Sequence, residues 1–168
     1  MEQRYDLSGS LLHWYDYNKR ILPWRENKDP YRIWISEIML QQTRVEAVKP
    51  YFDRFMEVLP TVYDLAKVDD DRLMKLWEGL GYYNRARNLK AAAQTIVEEY
   101  GGQLPADYDK LLSLKGIGMY TAGAIGSIAF ELQVPAVDGN VLRVLTRLWG
   151  DDSDILKDKT KKAMGRRV

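Results

Sequence analysis

Cysteine is absent from the 168 residues, which excludes disulfides, thiolate nucleophiles and cysteine-ligated metal in this chain. Histidine is almost absent, and His13 alone cannot assemble a histidine metal site. Net charge is close to zero, with 25 Lys and Arg against 24 Asp and Glu, so a nucleic-acid footprint has to be a local patch rather than a global field. No apolar run approaches membrane-spanning length, and the opening MEQRYDLSGS lacks the basic-then-apolar pattern of a signal peptide. The expectation is therefore a cytoplasmic chain with no membrane partner. Strand alternation, low-complexity segments and repeats of fixed period are missing as well.

What is present is helical. Hydrophobic residues make up 46% and charged residues 29%, enough to build and solvate one core. Residues 6–20 read as a first helix with Leu11, Leu12, Trp14 and Tyr15 as buriable positions, and 21–30 as a linker. Pro30 suits the first turn of the next helix, which places Tyr31, Trp34, Ile35 and Ile38 at i, i+3, i+4 and i+7. Further helices are predicted at 45–57, 61–67, 70–79, 83–100, 107–113, 119–130 and 139–149, separated by short turns rich in Gly and Pro. Trp77, Leu80, Leu89 and Ile96 are core positions. From Leu156 a charged helical pattern begins that has no obvious apolar partner. Many helices with short connections predict a compact all-α fold.

Three stretches carry possible chemistry. In WISEIMLQQT (34–43), Glu37 stands inside a helix that is apolar nearly all round. Burial disfavours the ionised form of a carboxyl, which would leave Glu37 able to donate a proton near neutrality. The other reading is a core glutamate paired with Arg25, Arg32 or Arg44. In LLSLKGIGMYTAGAIGSIAF (111–130), Gly116 and Gly118 permit a tight turn between two helices. The free amides opening the second helix suit a phosphate. Ala122, Gly123, Ala124 and Gly126 are expected to let the two helices pack closely. A lone G-x-G is usually a helix C-cap, but the whole pattern reads as a helix–hairpin–helix, which holds the DNA backbone without reading sequence. In VDGNV (137–141), Asp138 or Asn140 can cap the helix at 141–149. The chain can also go out along the hairpin's second helix and return, bringing Asp138 back to the hairpin. A carboxylate beside a bound phosphodiester is electrostatically odd unless chemistry needs it.

Helix–hairpin–helix followed by the Asp of VDGNV resembles the DNA glycosylase superfamily that includes endonuclease III. LPWR (22–25), DPYRIWISEIMLQQT (29–43), LWEGLGYYNRARNL (76–89) and VDGNVLRVLTR (137–147) narrow the resemblance to the adenine-specific mismatch glycosylases, over about residues 11–149. The resemblance implies a six-helix barrel lobe at 29–132, with 1–28 and 133–168 belonging to an incomplete second lobe. It implies cleavage of the N-glycosidic bond of adenine mispaired with 8-oxoguanine or guanine in double-stranded DNA. Glu37 would protonate the base, Asp138 would stabilise the cationic sugar, and Asn140 would orient the sugar–phosphate or the water. Tyr120 stands where lyase-type relatives carry a lysine, and a phenol cannot form a Schiff base. Gln42 and Tyr82 match residues that wedge into the base stack. Arg25, Arg85 and Arg87 are expected contacts to base or backbone, and Trp24 matches a pocket-lining residue. Gly116, Gly118 and Thr121 belong to the phosphate-holding hairpin. Lys115 replaces a common proline there and adds a charge on the phosphate side. Most full-length members carry a 4Fe–4S cluster on four later cysteines, and a further domain that recognises 8-oxoguanine. This chain is expected to hold no cofactor or metal, to act as a monomer, and to be continued beyond Val168 in the family's fold.

Overall fold

The computed structural model describes residues 7–167, and Asp6 of the first expected helix lies outside them. Ten α-helices run in order: α1 (Leu7–Asn18), α2 (Pro30–Leu40), α3 (Val45–Val58), α4 (Val62–Lys67), α5 (Asp70–Trp77), α6 (Asn84–Tyr100), α7 (Tyr108–Ser113), α8 (Met119–Phe130), α9 (Gly139–Trp149) and α10 (Asp158–Arg167). The fold is all-α, as the periodicity predicted, with a single 3-10 turn at Pro23–Arg25 inside the expected linker.

Helix α2 is the axis of the molecule. Asp29 caps its start by accepting a hydrogen bond from the Tyr31 amide at 2.9 Å, and Pro30 fills the first helical position, where a missing N–H costs nothing. Beyond that point its residues face inward on every side: Ile33, Trp34, Ile35, Ser36, Ile38 and Met39 are all buried. Each large apolar side chain taken from water contributes about 1.5–3 kcal/mol, so a helix enclosed all round is held more firmly than an amphipathic one. Helices α3, α6 and α8 enclose it. Trp77, Leu80, Leu89 and Ile96 are buried as expected, and the core they share reaches from Trp24 to Ile125.

Two expectations about packing are corrected. No residue of α1 is buried: Leu11, Leu12, Trp14 and Tyr15 stay exposed, because no described element covers that face. Two of the small residues of α8, Gly123 and Gly126, serve a different partner from the one expected. A Cβ on Gly123 would stand 2.1 Å from the Pro135 carbonyl oxygen, and one on Gly126 would stand 3.0 Å from the Val134 side chain. The glycines therefore admit the extended return segment 132–137, not the other helix of the hairpin. That strap lies along α8 and delivers the chain to the start of α9.

The charged tail also finds a partner. Met164 of α10 is buried, Gly165 faces Pro135 and Val137 of the strap, and the Arg167 guanidinium lies 4.0 Å from the Trp149 ring centroid. Among the described residues, no helix is long and apolar enough to cross a membrane.

Candidate active site

Glu37 is 4% exposed, in the middle of α2. Of its three possible arginine partners, Arg25 is the one in place, with Nη2 3.7 Å from Glu37 Oε1. The aim of Arg25 is set by its neighbour. Trp24 is fully buried, edge-to-face with Phe52 at 5.3 Å between centroids, and Arg32 Nη2 donates to the Pro23 carbonyl at 2.8 Å. The 3-10 turn is thus pinned to α2 and α3, and Arg25 projects from it towards the carboxyl.

A third group completes the cluster. The Tyr120 phenol, on the first turn of α8, lies beside the Glu37 carboxyl and is electrostatically coupled to it. Burial pushes Glu37 above the ordinary carboxylate range, opposed by the Arg25 charge and by the Tyr120 phenol; burial wins. Burial also pushes the Tyr120 phenol upward, helped by the negative charge of Glu37 and, further off, of Asp138. Asp138 has therefore returned along the strap to the head of α8, as the spacing suggested.

Asp138 does two jobs at once. Its Oδ1 accepts from the Val141 amide at 2.8 Å, capping α9, and its Oδ2 accepts from Asn140 Nδ2 at 3.0 Å. Both oxygens face N–H donors, the partners a carboxylate takes. Asn140 in turn accepts from Arg143 Nη2 at 3.1 Å, which fixes its amide. A cleft of about 1010 Å³ opens beside these groups, lined by Gln41, Tyr120, Val137 and Asp138 on one side and by Lys161 and Arg166 of α10 on the other. Gln41 has no mark in the sequence to set it apart from Gln42, the member of the QQ pair that the resemblance points to. It donates from Nε2 to Thr121 Oγ1 at 3.4 Å and lines the cleft.

The hairpin sits next to this cluster. Gly116 has φ +81°, and a Cβ there would meet the Asn88 side chain at 2.7 Å, so both the backbone angle and the close approach require glycine. Gly118 opens α8 with no side chain capping it and open space where a Cβ would be. Lys115 is exposed beside it. On the far side of the α2 end, Gln42 and Tyr82 are exposed at two loop tips, and both have left-handed backbone, φ 60° and 49°. That conformation costs a non-glycine residue on the order of 1–2 kcal/mol. Arg87 is exposed and donates to Asn84 Oδ1 at 3.0 Å.

Three residues expected on the DNA side face inward in this structure. Trp24 and Thr121 are buried at 1% and 2% exposure; Trp24 supports Arg25, and Thr121 holds Gln41 at the edge of the cleft. Arg85 is turned inward: its guanidinium donates to five main-chain carbonyls. Its four Nη hydrogens are thus turned to the main chain, and the remaining donor, Nε–H, is buried without a partner, so none is presented at the surface.

The fold is thus all-helical, with a glycine hairpin beside a buried acid and a second carboxyl. Residues 35–168 match the HhH-GPD superfamily of base excision DNA repair proteins, and the chain belongs to that family. The adenine DNA glycosylase of Homo sapiens is 48% identical over 149 residues, covering 83% of this chain and 27% of that protein. The adenine DNA glycosylase of Buchnera aphidicola (strain APS) is 45% identical over 157 residues, covering 93% and 45%. The chain thus spans less than half the length of the curated relatives it matches. Among solved structures, a thermostable thymine-DNA glycosylase superposes with a TM-score of 0.84 at 30% identity, covering 94% of this chain and 75% of that one. A trapped endonuclease III–DNA covalent intermediate superposes with a TM-score of 0.78 at 25% identity, covering 95% and 74%. A 4Fe–4S cluster, of the kind the resemblance implies for longer relatives, needs thiolate ligands. This chain has no cysteine, and no group of three or more His, Asp or Glu among the described residues is placed to hold a metal ion, so its residues do not fit such a cluster.

Proposed function

We propose that this chain is the catalytic part of a DNA glycosylase that hydrolyses the N-glycosidic bond of adenine mispaired with 8-oxoguanine or guanine. The observation that carries the reading is the meeting of Glu37, Tyr120 and Asp138 at one end of the hairpin, with one carboxyl buried and the other ringed by N–H donors.

Breaking the bond leaves positive charge on the sugar and negative charge on the base. Glu37, whose hold on its proton burial strengthens, donates to a ring nitrogen of the flipped base and makes it a neutral leaving group. Its anion, held by Arg25 and the Tyr120 phenol, then takes a proton from the attacking water. Asp138 faces the developing oxocarbenium ion, and Asn140 keeps its carboxyl aimed. Tyr120 offers no amine, so the reaction ends at the abasic site without strand cleavage. The amides opening α8, with Lys115, hold the phosphate backbone. Gln42 and Tyr82 fill the gap left by the extruded base, and Arg87 meets the backbone; extrusion costs a few kcal/mol.

The relatives at 40–49% identity are adenine DNA glycosylases, while the likeness to a thymine enzyme is at 30%. The chemistry agrees with the first group. A purine offers ring nitrogens that accept a proton from a buried acid, whereas thymine offers only carbonyl oxygens.

The test is single-turnover base release from duplexes holding A opposite 8-oxoguanine, A opposite G, or T opposite G. Release of adenine, reduced about 10²–10⁴-fold by Glu37→Gln with duplex binding little changed, is the expected result. Release of thymine instead, or adenine release that survives Glu37→Gln, would falsify it.

A further inference from the structure

Arg85 carries more hydrogen bonds than any other side chain in the fold's interior, and their arrangement is unusual. Nη1 donates to the carbonyl oxygens of Ile38 at 2.8 Å, Met39 at 3.0 Å and Gln41 at 2.7 Å. Nη2 donates to those of Leu80 at 3.0 Å and Gly81 at 3.2 Å. The first set is the end of α2, where the Ile38 carbonyl accepts only a long 3.4 Å main-chain bond, from the Gln41 amide, and the last carbonyls carry the negative end of the helix dipole. The second set is the turn after α5. One planar fork thus spans two loops that are far apart in sequence.

The last acceptor in each set stands immediately before a loop tip. Gln41 precedes Gln42, and Gly81 precedes Tyr82. A carbonyl oxygen and the next residue's N–H belong to one rigid peptide plane. Fixing the Gln41 oxygen therefore fixes the plane from which the φ of Gln42 is measured, and fixing the Gly81 oxygen does the same for Tyr82. These are two of only three non-glycine residues with positive φ among those described, at 60° and 49°. The guanidinium also lies 5.6 Å from the Tyr82 ring centroid and 5.4 Å from that of Trp77, whose Nε1 donates to Gly81 at 3.1 Å. Strained backbone at two neighbouring tips persists only where the surroundings over-determine it, and the shared constraint here is Arg85.

We propose that Arg85 is a positioning residue that locks the Gln42 and Tyr82 tips into one rigid fork, so that both enter the base stack in a single step. The inference rests on the reading of those two residues as the wedges. Its physical content is that the tips are coupled: loosening one plane loosens the other, because a single side chain holds both. A lysine cannot replace it, since one ammonium at the end of a flexible stem does not reproduce a two-nitrogen fork.

The experiment has two arms, using the full chain and its Arg85→Met and Arg85→Lys variants. The first is amide hydrogen exchange without DNA. Amides at 41–43 and at 81–83 are expected to exchange roughly tenfold faster in both variants, together, while α2 and α6 interiors keep their protection. The second is single-turnover release of adenine from a mismatched pair and from a single-adenine bulge, where no partner holds the base in the stack. Loss of wedge alignment is expected to slow release from the pair about a hundredfold and to slow release from the bulge far less. Gln42→Ala and Tyr82→Ala, each harmful alone, add little in the Arg85→Met background, because coupled residues are non-additive. Should Arg85→Met not fold, Arg85→Lys carries the same comparisons. Exchange that is unchanged, or faster in one loop only, overturns the clamp, as does equal loss on paired and bulged adenine, which marks a merely structural arginine. Wild-type protein that releases adenine from neither substrate overturns the proposed function, and the exchange arm then decides on the clamp.

Discussion

Glu37 is placed where a carboxyl is useful to chemistry and harmful to the fold. Its unfolded form titrates at an ordinary carboxylate value, and burial raises the folded one above it. The sign follows. Below the unfolded value both states are protonated and the residue costs nothing; as pH climbs through the raised folded value, the ionised form is disfavoured in the native state and stability falls. Glu37→Gln keeps the shape and removes the titration. The variant is expected to match wild type near pH 4 and to exceed it at neutral pH and above, by about 1.4 kcal/mol for every tenfold by which folding tightens the carboxyl's hold on its proton. Calorimetric Tm values across that range measure this, and a wild type that holds level with Glu37→Gln as pH rises would count against a buried, destabilised acid. The glutamate itself was legible in the sequence because its helix is apolar on every side. Its partner was not: three arginines were open, and the choice of Arg25 depends on Trp24 burying against Phe52, in a linker with no periodicity to read.

At the scale of elements, the strap on α8 decides where Asp138 lies. The stripe Ala122, Gly123, Ala124, Gly126 announces that something approaches closely, but a run of small residues does not say what. The facing helix is the natural expectation because the return segment has no pattern of its own: 132–137 is neither periodic nor alternating, and only its meeting with Gly123 gives it a path. Gly123→Val is the corresponding test. A β-branched side chain would collide with the Pro135 backbone, which cannot rotate away as a side-chain tip could. Destabilisation of about 1–3 kcal/mol is expected from denaturant unfolding. Base release should fall about a hundredfold, since a shift of 1 Å at a reacting group suffices for that. A variant that loses stability yet keeps full activity would show that the strap does not position Asp138.

Across the whole molecule, helix existence was legible and helix environment only partly so. Long periodic segments such as α6 appear within a residue or two of their expected bounds, and the four core positions named from pattern are buried. Periodicity also marked Leu11, Leu12, Trp14 and Tyr15 of α1 as buriable, but an apolar position is buried only if something is there to cover it. Leu11 and Leu12 are 57% and 64% exposed. Replacing both with Ala is therefore expected to change the unfolding free energy of this chain by no more than about 0.5 kcal/mol. A loss of several kcal/mol in urea would show that α1 packs in solution. The charged tail departs from expectation in the opposite direction: Thr160 and Met164 of α10 are buried, and Gly165 faces the strap.

The strap has one more consequence. Glu37 is presented by a helix near the start of the chain, and Asp138 arrives only after the hairpin has formed and the return segment has been laid down on α8. Under the proposed function, a chain still being synthesised, or one that has partly opened, holds the acid without its counterpart, and base release waits until the strap is seated.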